Sequence, residues 1–248
     1  SDEDFSFTTV PEYYDYQGKY EYRLNATDSI SVNLLGARDK AGILFDEDSD
    51  QVKQDPGLNG GLRFEQYFNS QGILWDRVTD NGMIQRIGLS QLEEKFAFGI
   101  GSSSAIAVKT NNYALRSQFS LVLNEFHELQ FGAEYSESHI NYKGYYAGPP
   151  CDEFTPDCRL VDGTGVVSGS GQPVITSLES NLGDVWQVTD DWQLTPGLLA
   201  SHEDYTGEAW LEPRISSRWQ FSDDWATTAA WGRYHDFPDN FGQYAPEF

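Results

Sequence analysis

From Tyr14 to Leu24 the chain alternates with a period of two. Tyr14, Tyr16, Gly18, Tyr20, Tyr22 and Leu24 fall on one side, and Asp15, Gln17, Lys19, Glu21 and Arg23 on the other. That period predicts a β-strand whose two faces meet different surroundings. Leu129, Phe131, Ala133 and Tyr135 oppose Gln130, Gly132, Glu134 and Ser136 in the same way, and Leu211, Ile215, Trp219 and Phe221 oppose Glu212, Arg214, Arg218 and Gln220. Short polar turns separate such segments. Trp186-Gln187-Val188, Thr189-Asp190-Asp191, Trp192 is echoed by Trp219-Gln220-Phe221, Ser222-Asp223-Asp224, Trp225, while Asn25-Ala26-Thr27-Asp28 and Thr79-Asp80-Asn81-Gly82 punctuate earlier segments. These are hairpin signals.

About ten strands follow from this reading, near Tyr14–Leu24, Ser29–Arg38, Leu62–Arg77, Met83–Phe98, Tyr113–Leu123, Leu129–Tyr142, Val174–Val188, Trp192–His202, Trp210–Phe221 and Trp225–Tyr234. Alternation blurs around Leu74 and Ile87, which predicts a bulge there. Two environments suit a clean apolar/polar alternation. In a soluble sandwich the apolar face packs on a second sheet; in an outer-membrane barrel it meets lipid while the polar face lines a wet lumen.

Three features favour the barrel. The segments are about ten residues or longer, enough to cross a bilayer at a tilt. Rings cluster at both ends of the segments, with Trp186, Trp192, Trp219 and Trp225 beside the short turns and Tyr14, Tyr16, Tyr135 and Trp231 towards the far ends. Connections are expected to alternate strictly between short turns and long loops. The fold class predicted is therefore all-β, an antiparallel transmembrane β-barrel in the cell outer membrane, with outer-membrane lipid as its surroundings.

Composition changes the picture little. The chain has 248 residues, a net charge of -23 and 15% aromatic residues, with a mean hydropathy of -0.54. A barrel hides only alternate side chains in lipid, so a polar average is compatible with it. No run of about eighteen apolar residues exists to form a membrane-spanning helix, and no signal peptide opens the chain, as in a mature protein or an excised piece. Strong acidity excludes nucleic acid as a partner, because phosphate binding needs a basic surface.

The longer connections carry the remaining chemistry. Cys151 and Cys158, in a Pro- and Asp-rich stretch between Lys143 and Gln172, suggest a disulfide in an oxidising compartment, with two free thiols as the alternative. Asp46, Asp48 and Asp50 have the spacing that opens a calcium loop. Gln51 stands where that loop needs glycine and no glutamate closes it, so a solvated acidic loop competes with a calcium site. No nucleophile elbow, phosphate-binding glycine loop or zinc-protease motif is present, and His127, His139, His202 and His235 are scattered. No catalytic residues and no cofactor are expected.

Leu211-Glu212-Pro213-Arg214 through Arg218-Trp219-Gln220-Phe221-Ser222-Asp223-Asp224-Trp225, followed by Ala229-Ala230-Trp231-Gly232-Arg233-Tyr234-His235-Asp236-Phe237-Pro238, resembles the middle of the barrel of TonB-dependent outer-membrane receptors. Tyr14 to Tyr20, with Leu24-Asn25 and Ile30-Ser31-Val32, is similar to an earlier hairpin of such receptors. The resemblance implies a plugged barrel of about twenty-two strands, so this chain would supply about half of them. Plug and remaining strands would lie outside it, and the first and tenth strands would not pair with each other. It also implies energised import of a scarce ligand, driven by TonB through segments not in this chain. Inward Lys19, Arg23, Arg116, Arg214 and Arg218 could attract an anionic ligand or simply pair with neighbouring carboxylates. Three other readings remain open: a small complete barrel acting as pore or enzyme, a soluble carbohydrate-active β protein, and the scaffold of a surface assembly.

Overall fold

Period-two segments of this length pair edge to edge, and the computed structural model shows them doing so through eleven strands. It describes residues 5–45, 47–54, 56–101, 103–147 and 166–235. The strands are β1 (Phe5–Arg23), β2 (Asp28–Phe45), β3 (Leu62–Val78), β4 (Ile84–Ile100), β5 (Ser104–Val122), β6 (His127–Ala147), β7 (Val166–Gly171), β8 (Val174–Thr189), β9 (Trp192–Glu203), β10 (Ala209–Ser222) and β11 (Trp225–Gly232). A five-residue helix, α1 (Asp50–Gln54), and a single 3-10 turn (Pro56–Leu58) stand between β2 and β3.

Every pairing is antiparallel and, apart from that of β6 with β8, joins strands consecutive in sequence, in one sheet running β1-β2-β3-β4-β5-β6-β8-β9-β10-β11. β6 alone has three partners: β5 on one side, and on the other β8 along its lower part and β7 along its upper part. β7 and β8 are one strand interrupted at Gln172 and Pro173. The register is unchanged across the break, His139↔Val174 below it and Tyr142↔Gly171 above. Pro173 has no N–H to donate, but its carbonyl still accepts from Ile140 N–H at 3.0 Å. The stretch between Lys143 and Gln172, read from sequence as a loop, thus contains a strand. Among the described residues β1 and β11 each have one neighbour and no ladder joins them, so the sheet is open.

Two other expectations are corrected. No bulge interrupts β3 and β4, whose register runs unbroken from Leu62↔Ile100 to Val78↔Ile84. Alternation blurs there because inward Leu74 fills the space over Gly88 opposite it, while outward Gln71 and Gln91 satisfy each other at 2.5 Å. The irregularities lie elsewhere, at Gln187/Thr189 and Gln220/Ser222 beside the two echoed turns and near Phe7–Glu12 in β1. Nor do short and long connections alternate strictly. β4 and β5 meet through residues 101–103, where Gly101 takes a positive φ of 50° and a side chain would meet Gly57 O at 2.2 Å. β9 and β10 meet through residues 204–208, held by the Glu203 carboxylate accepting the backbone N–H groups of Tyr205 and Thr206.

At the opposite end the turns are built by their own side chains. Asn25 Oδ1 accepts the N–H groups of Thr27 and Asp28, each at 2.8 Å, and Asn124 does the same for Phe126 and His127. The Thr27 hydroxyl donates to Asp28 at 2.8 Å, and Arg77 on β3 stands 3.8 Å from the same carboxylate.

Directly opposed residues share a face, so the register extends each alternation across the sheet. One row runs Tyr20, Val32, Ile73, Leu89, Leu115, Tyr135 and Leu178. That apolar face is the exposed one: Tyr20 is 68% accessible, Leu89 60% and Leu211 57%. Polar groups are the ones covered, with Glu203 and Glu212 each at 2%. No second layer packs on the apolar face among the described residues. The inside-out distribution rules out the sandwich and identifies the apolar face as the lipid side. Trp75 Nε1 bonds Asp28 Oδ1 and Trp192 Nε1 bonds Ser217 Oγ near the short turns, so these rings keep a satisfied polar end at the interface.

Leu89→Arg, at the middle of the apolar row, should cost about 2–4 kcal/mol in a bilayer, whereas Asn111→Arg, on the same face beyond the apolar rows, should cost about 0–1. Denaturant titration of the complete polypeptide folded into phosphatidylcholine vesicles checks the difference. Equal costs at both positions would show that this face does not contact hydrocarbon.

Candidate functional site

Trp210, Glu212 and Arg214 alternate along β10 and therefore project together to the polar, inward side. They lie near its upper end, away from the short turns. The segment after β11 folds back onto them. Arg233 N–H donates to Pro213 O at 3.0 Å, extending the ladder beyond the last strand. Next to it, His235 donates its backbone N–H to Glu212 and places its ring against Trp210, centroid to centroid 4.0 Å and nearly parallel.

Glu212 is the hub. It accepts from Arg214 Nη2 at 2.5 Å and lies 3.3 Å from His235 Nδ1. Burying a carboxylate is tolerated only with such partners. The Arg214 guanidinium also sits 4.7 Å above the Tyr234 ring, a cation–π arrangement that fixes its plane. Two buried donors, Trp210 Nε1 and Arg214 Nε, find no acceptor among the described residues. The cluster thus presents a fixed guanidinium framed by rings, with unused donors and a carboxylate at its back. Chemically it suits an oxygen-rich acceptor and contains no nucleophile–base pair.

The other cations named from sequence do not join it. Lys19 pairs with Glu21 at 3.1 Å on β1, Arg116 with Glu134 between β5 and β6, and Arg218 donates to Gln220 Oε1 at 3.1 Å lower on β10. Arg23 ends β1 opposite Ser29. All five share the inward face, but only Arg214 belongs to a cluster, and three of them pair with carboxylates on the same or adjacent strands. Asp46, Cys151 and Cys158 lie outside the described residues. Asp48 is in the turn before α1, and Asp50 opens that helix, where Ser49 Oγ accepts Val52 N–H at 3.3 Å. Among the described residues no three His, Cys, Asp or Glu side chains gather as metal ligands.

Sequence reasoning placed Glu212 and Arg214 on one face but missed Trp210, Tyr234 and His235 as their companions. The signal available was Trp210, two positions before Glu212 on the same face. The contribution of Tyr234 and His235 comes from the fold-back and leaves no periodic trace.

The family model described as "TonB dependent receptor-like, beta-barrel" matches residues 1–247. A comparison with curated proteins finds no match. Among solved structures, the ferripyoverdine receptor of the outer membrane of Pseudomonas aeruginosa superposes with a TM-score of 0.64 at 16% identity, over 89% of this chain and 35% of that one. The alcaligin outer-membrane receptor FauA from Bordetella pertussis gives 0.62 at 10% identity, over 89% and 35%. The ferric citrate transporter FecA gives 0.56 at 13% identity, over 90% and 36%. The chain spans about a third of the length of these receptors.

Glu212→Ala should free the fold-back. Amide exchange at His235, protected by its bond to the carboxylate, should accelerate by at least about tenfold, the loss of roughly one charge-assisted hydrogen bond. Glu212→Gln, which keeps an acceptor oxygen, should accelerate it less. Unchanged exchange at His235 in the alanine variant would place the hold on this segment elsewhere.

Proposed function

This chain belongs to the TonB-dependent receptor family as part of the β-barrel, and on that premise we propose that it forms wall strands of a plugged outer-membrane importer of a scarce ligand. The observation that carries the reading is the open sheet with an apolar outer face. In hydrocarbon each unpaired backbone group costs several kcal/mol, so the free edges of β1 and β11 require further strands, and about twenty-two close a barrel wide enough to hold a plug. Those strands, the plug and the contact with TonB would lie in segments other than this chain. As an outer-membrane protein it would face the ligand from the cell surface.

The ligand class follows from the cluster on β10 and from what the similar structures are named for. The printed names of two of them refer to ferripyoverdine and ferric citrate, iron complexes with oxygen-rich surfaces. We infer a ferric chelate of that kind for this chain. Arg214, fixed by Glu212 and Tyr234, would contact its oxygens, and the Trp210–His235 stack would give a flat apolar wall. Lys19, Arg23, Arg116 and Arg218 would line the route below. Glu21, Glu134 and Gln220 hold Lys19, Arg116 and Arg218 in place without committing them to one ligand.

Cells that depend on the complete receptor for iron supply the test. Uptake of radiolabelled ferric chelates should require both the receptor and TonB. Arg214→Ser should lower it by about tenfold, the loss of a charge-assisted contact, with surface abundance unchanged. Uptake of none of a panel of ferric chelates, or uptake indifferent to loss of TonB, would defeat the proposal.

A further inference from the structure

We propose that the outer wall of β2–β6, just beyond the hydrocarbon, is a docking surface for a membrane lipid carrying phosphate on its headgroup. The inference rests on outer-membrane placement alone and is independent of which ligand is imported.

Cations are scarce in this chain, sixteen Lys and Arg against thirty-nine Asp and Glu. Six of them, Arg38, Lys40, Arg63, Lys95, Lys109 and Lys143, project from the outer face of five adjacent strands. The register places them in three consecutive rows: Arg38, Tyr67, Lys95, Lys109 and Asn141; then Lys40, Glu65, Ala97, Ala107 and Lys143; then Gly42, Arg63, Gly99, Ala105 and Tyr145. On each strand they begin roughly nine or more residues from the short turn, where a tilted strand leaves the hydrocarbon.

Four carboxylates share this part of the wall, one of them Glu137, paired with His139 on β6 at 2.5 Å. Glu65 bridges Arg38 at 2.7 Å and Lys95 at 2.6 Å, and Glu93 pairs with Lys109 at 2.9 Å. Glu12 stands opposite Lys40 in the ladder without an ion pair to it. Lys40, Arg63 and Lys143 therefore have no carboxylate partner among the described residues. Among the described residues Arg63 donates to Gly101 O at 3.2 Å.

Shape agrees with charge. Lys40, Arg63 and Lys143 rim a groove of about 520 Å³ whose floor is Ala97, Gly99, Ala105 and Ala107. Nearer the short turns on the same face lies a second groove of about 660 Å³, walled by Val32, Ile73, Leu89, Leu115 and Tyr135 over Gly72 and Ala114, with Gln71, Gln91 and Glu137 along its upper edge. Small residues make both grooves, by leaving the wall thin between larger neighbours. Cations above an acyl-sized, mostly apolar channel match a lipid with an anionic head, and each surface Lys or Arg contributes about fivefold to such binding.

The complete receptor, reconstituted in phosphatidylcholine vesicles doped with phosphatidylglycerol and released into mild detergent, is the sample. Native mass spectrometry counts the lipids retained. Phosphatidylglycerol should be enriched over phosphatidylcholine, and its affinity should fall on the order of a hundredfold in the Lys40→Gln, Arg63→Gln, Lys143→Gln triple variant. A triple removing the same charge elsewhere, Lys53→Gln, Arg86→Gln and Arg233→Gln, should retain it. Equal retention of the two lipids by the unaltered receptor, full retention by the first triple, or equal loss in both triples would each overturn the proposal. Should the first triple fail to fold, Lys143→Gln alone should reduce retention several-fold and added salt should abolish it in the unaltered receptor; insensitivity to both would overturn it equally.

Discussion

Backbone N–H and C=O groups have no water to bond in hydrocarbon, and this constraint governs the rest of the molecule. It explains why the register is continuous through β3, β4, β5 and β6, and why Pro173, which cannot donate, sits above the apolar rows, where a missing bond is cheap. It explains why the irregularities fall beside the turns or towards the far end of β1, outside the apolar rows. It also makes the free edges of β1 and β11 a demand on other strands, since an edge that would be merely sticky in water is unsustainable in lipid. Side-chain polarity is then free to differ on the two faces, and the lumen can carry charge.

The same constraint decides what was legible in the sequence. Strand cores could be read because lipid on one side and water on the other impose period two, as from Tyr14 to Leu24. Strand ends could not. β2 continues to Phe45, β5 begins at Ser104 and β6 reaches Ala147, all beyond the bounds that alternation predicts. Once a strand leaves the bilayer both faces meet water, as Lys109 on one side and Thr110 on the other illustrate, and alternation carries no signal. Hydrogen bonding continues there because the ladder, already nucleated below, extends at little entropic cost.

The inward face was legible as a face but not as a site. Glu212 and Arg214 announced their common side by spacing alone. Which of five inward cations would be gathered depended on the return of residues 233–235 across the sheet, set by the short turn after Ser222 and the length of β11. Pairing was more predictable than clustering. Lys19, Arg116 and Arg214 each found a carboxylate within reach, because in a confined wet space the cheapest partner for a guanidinium or ammonium is a neighbouring side chain.

Charge is distributed less evenly than its total suggests. With seven of sixteen cations on the outer wall of β2–β6, Arg77 near the short turns among them, nine remain for the lumen, loops and turns, against most of the thirty-nine acids. The long-range field of the part described here is therefore repulsive to an anion, and steering cannot be what brings one in. At physiological salt that field decays within about 8 Å, so a single well-placed group can still prevail at contact. Under the proposed function Arg214 would be such a group, its plane fixed by Tyr234 and its charge only partly spent on Glu212. Recognition on this wall would then be a short-range matter of fixed donors and ring surfaces, with selectivity following from their geometry rather than from net charge.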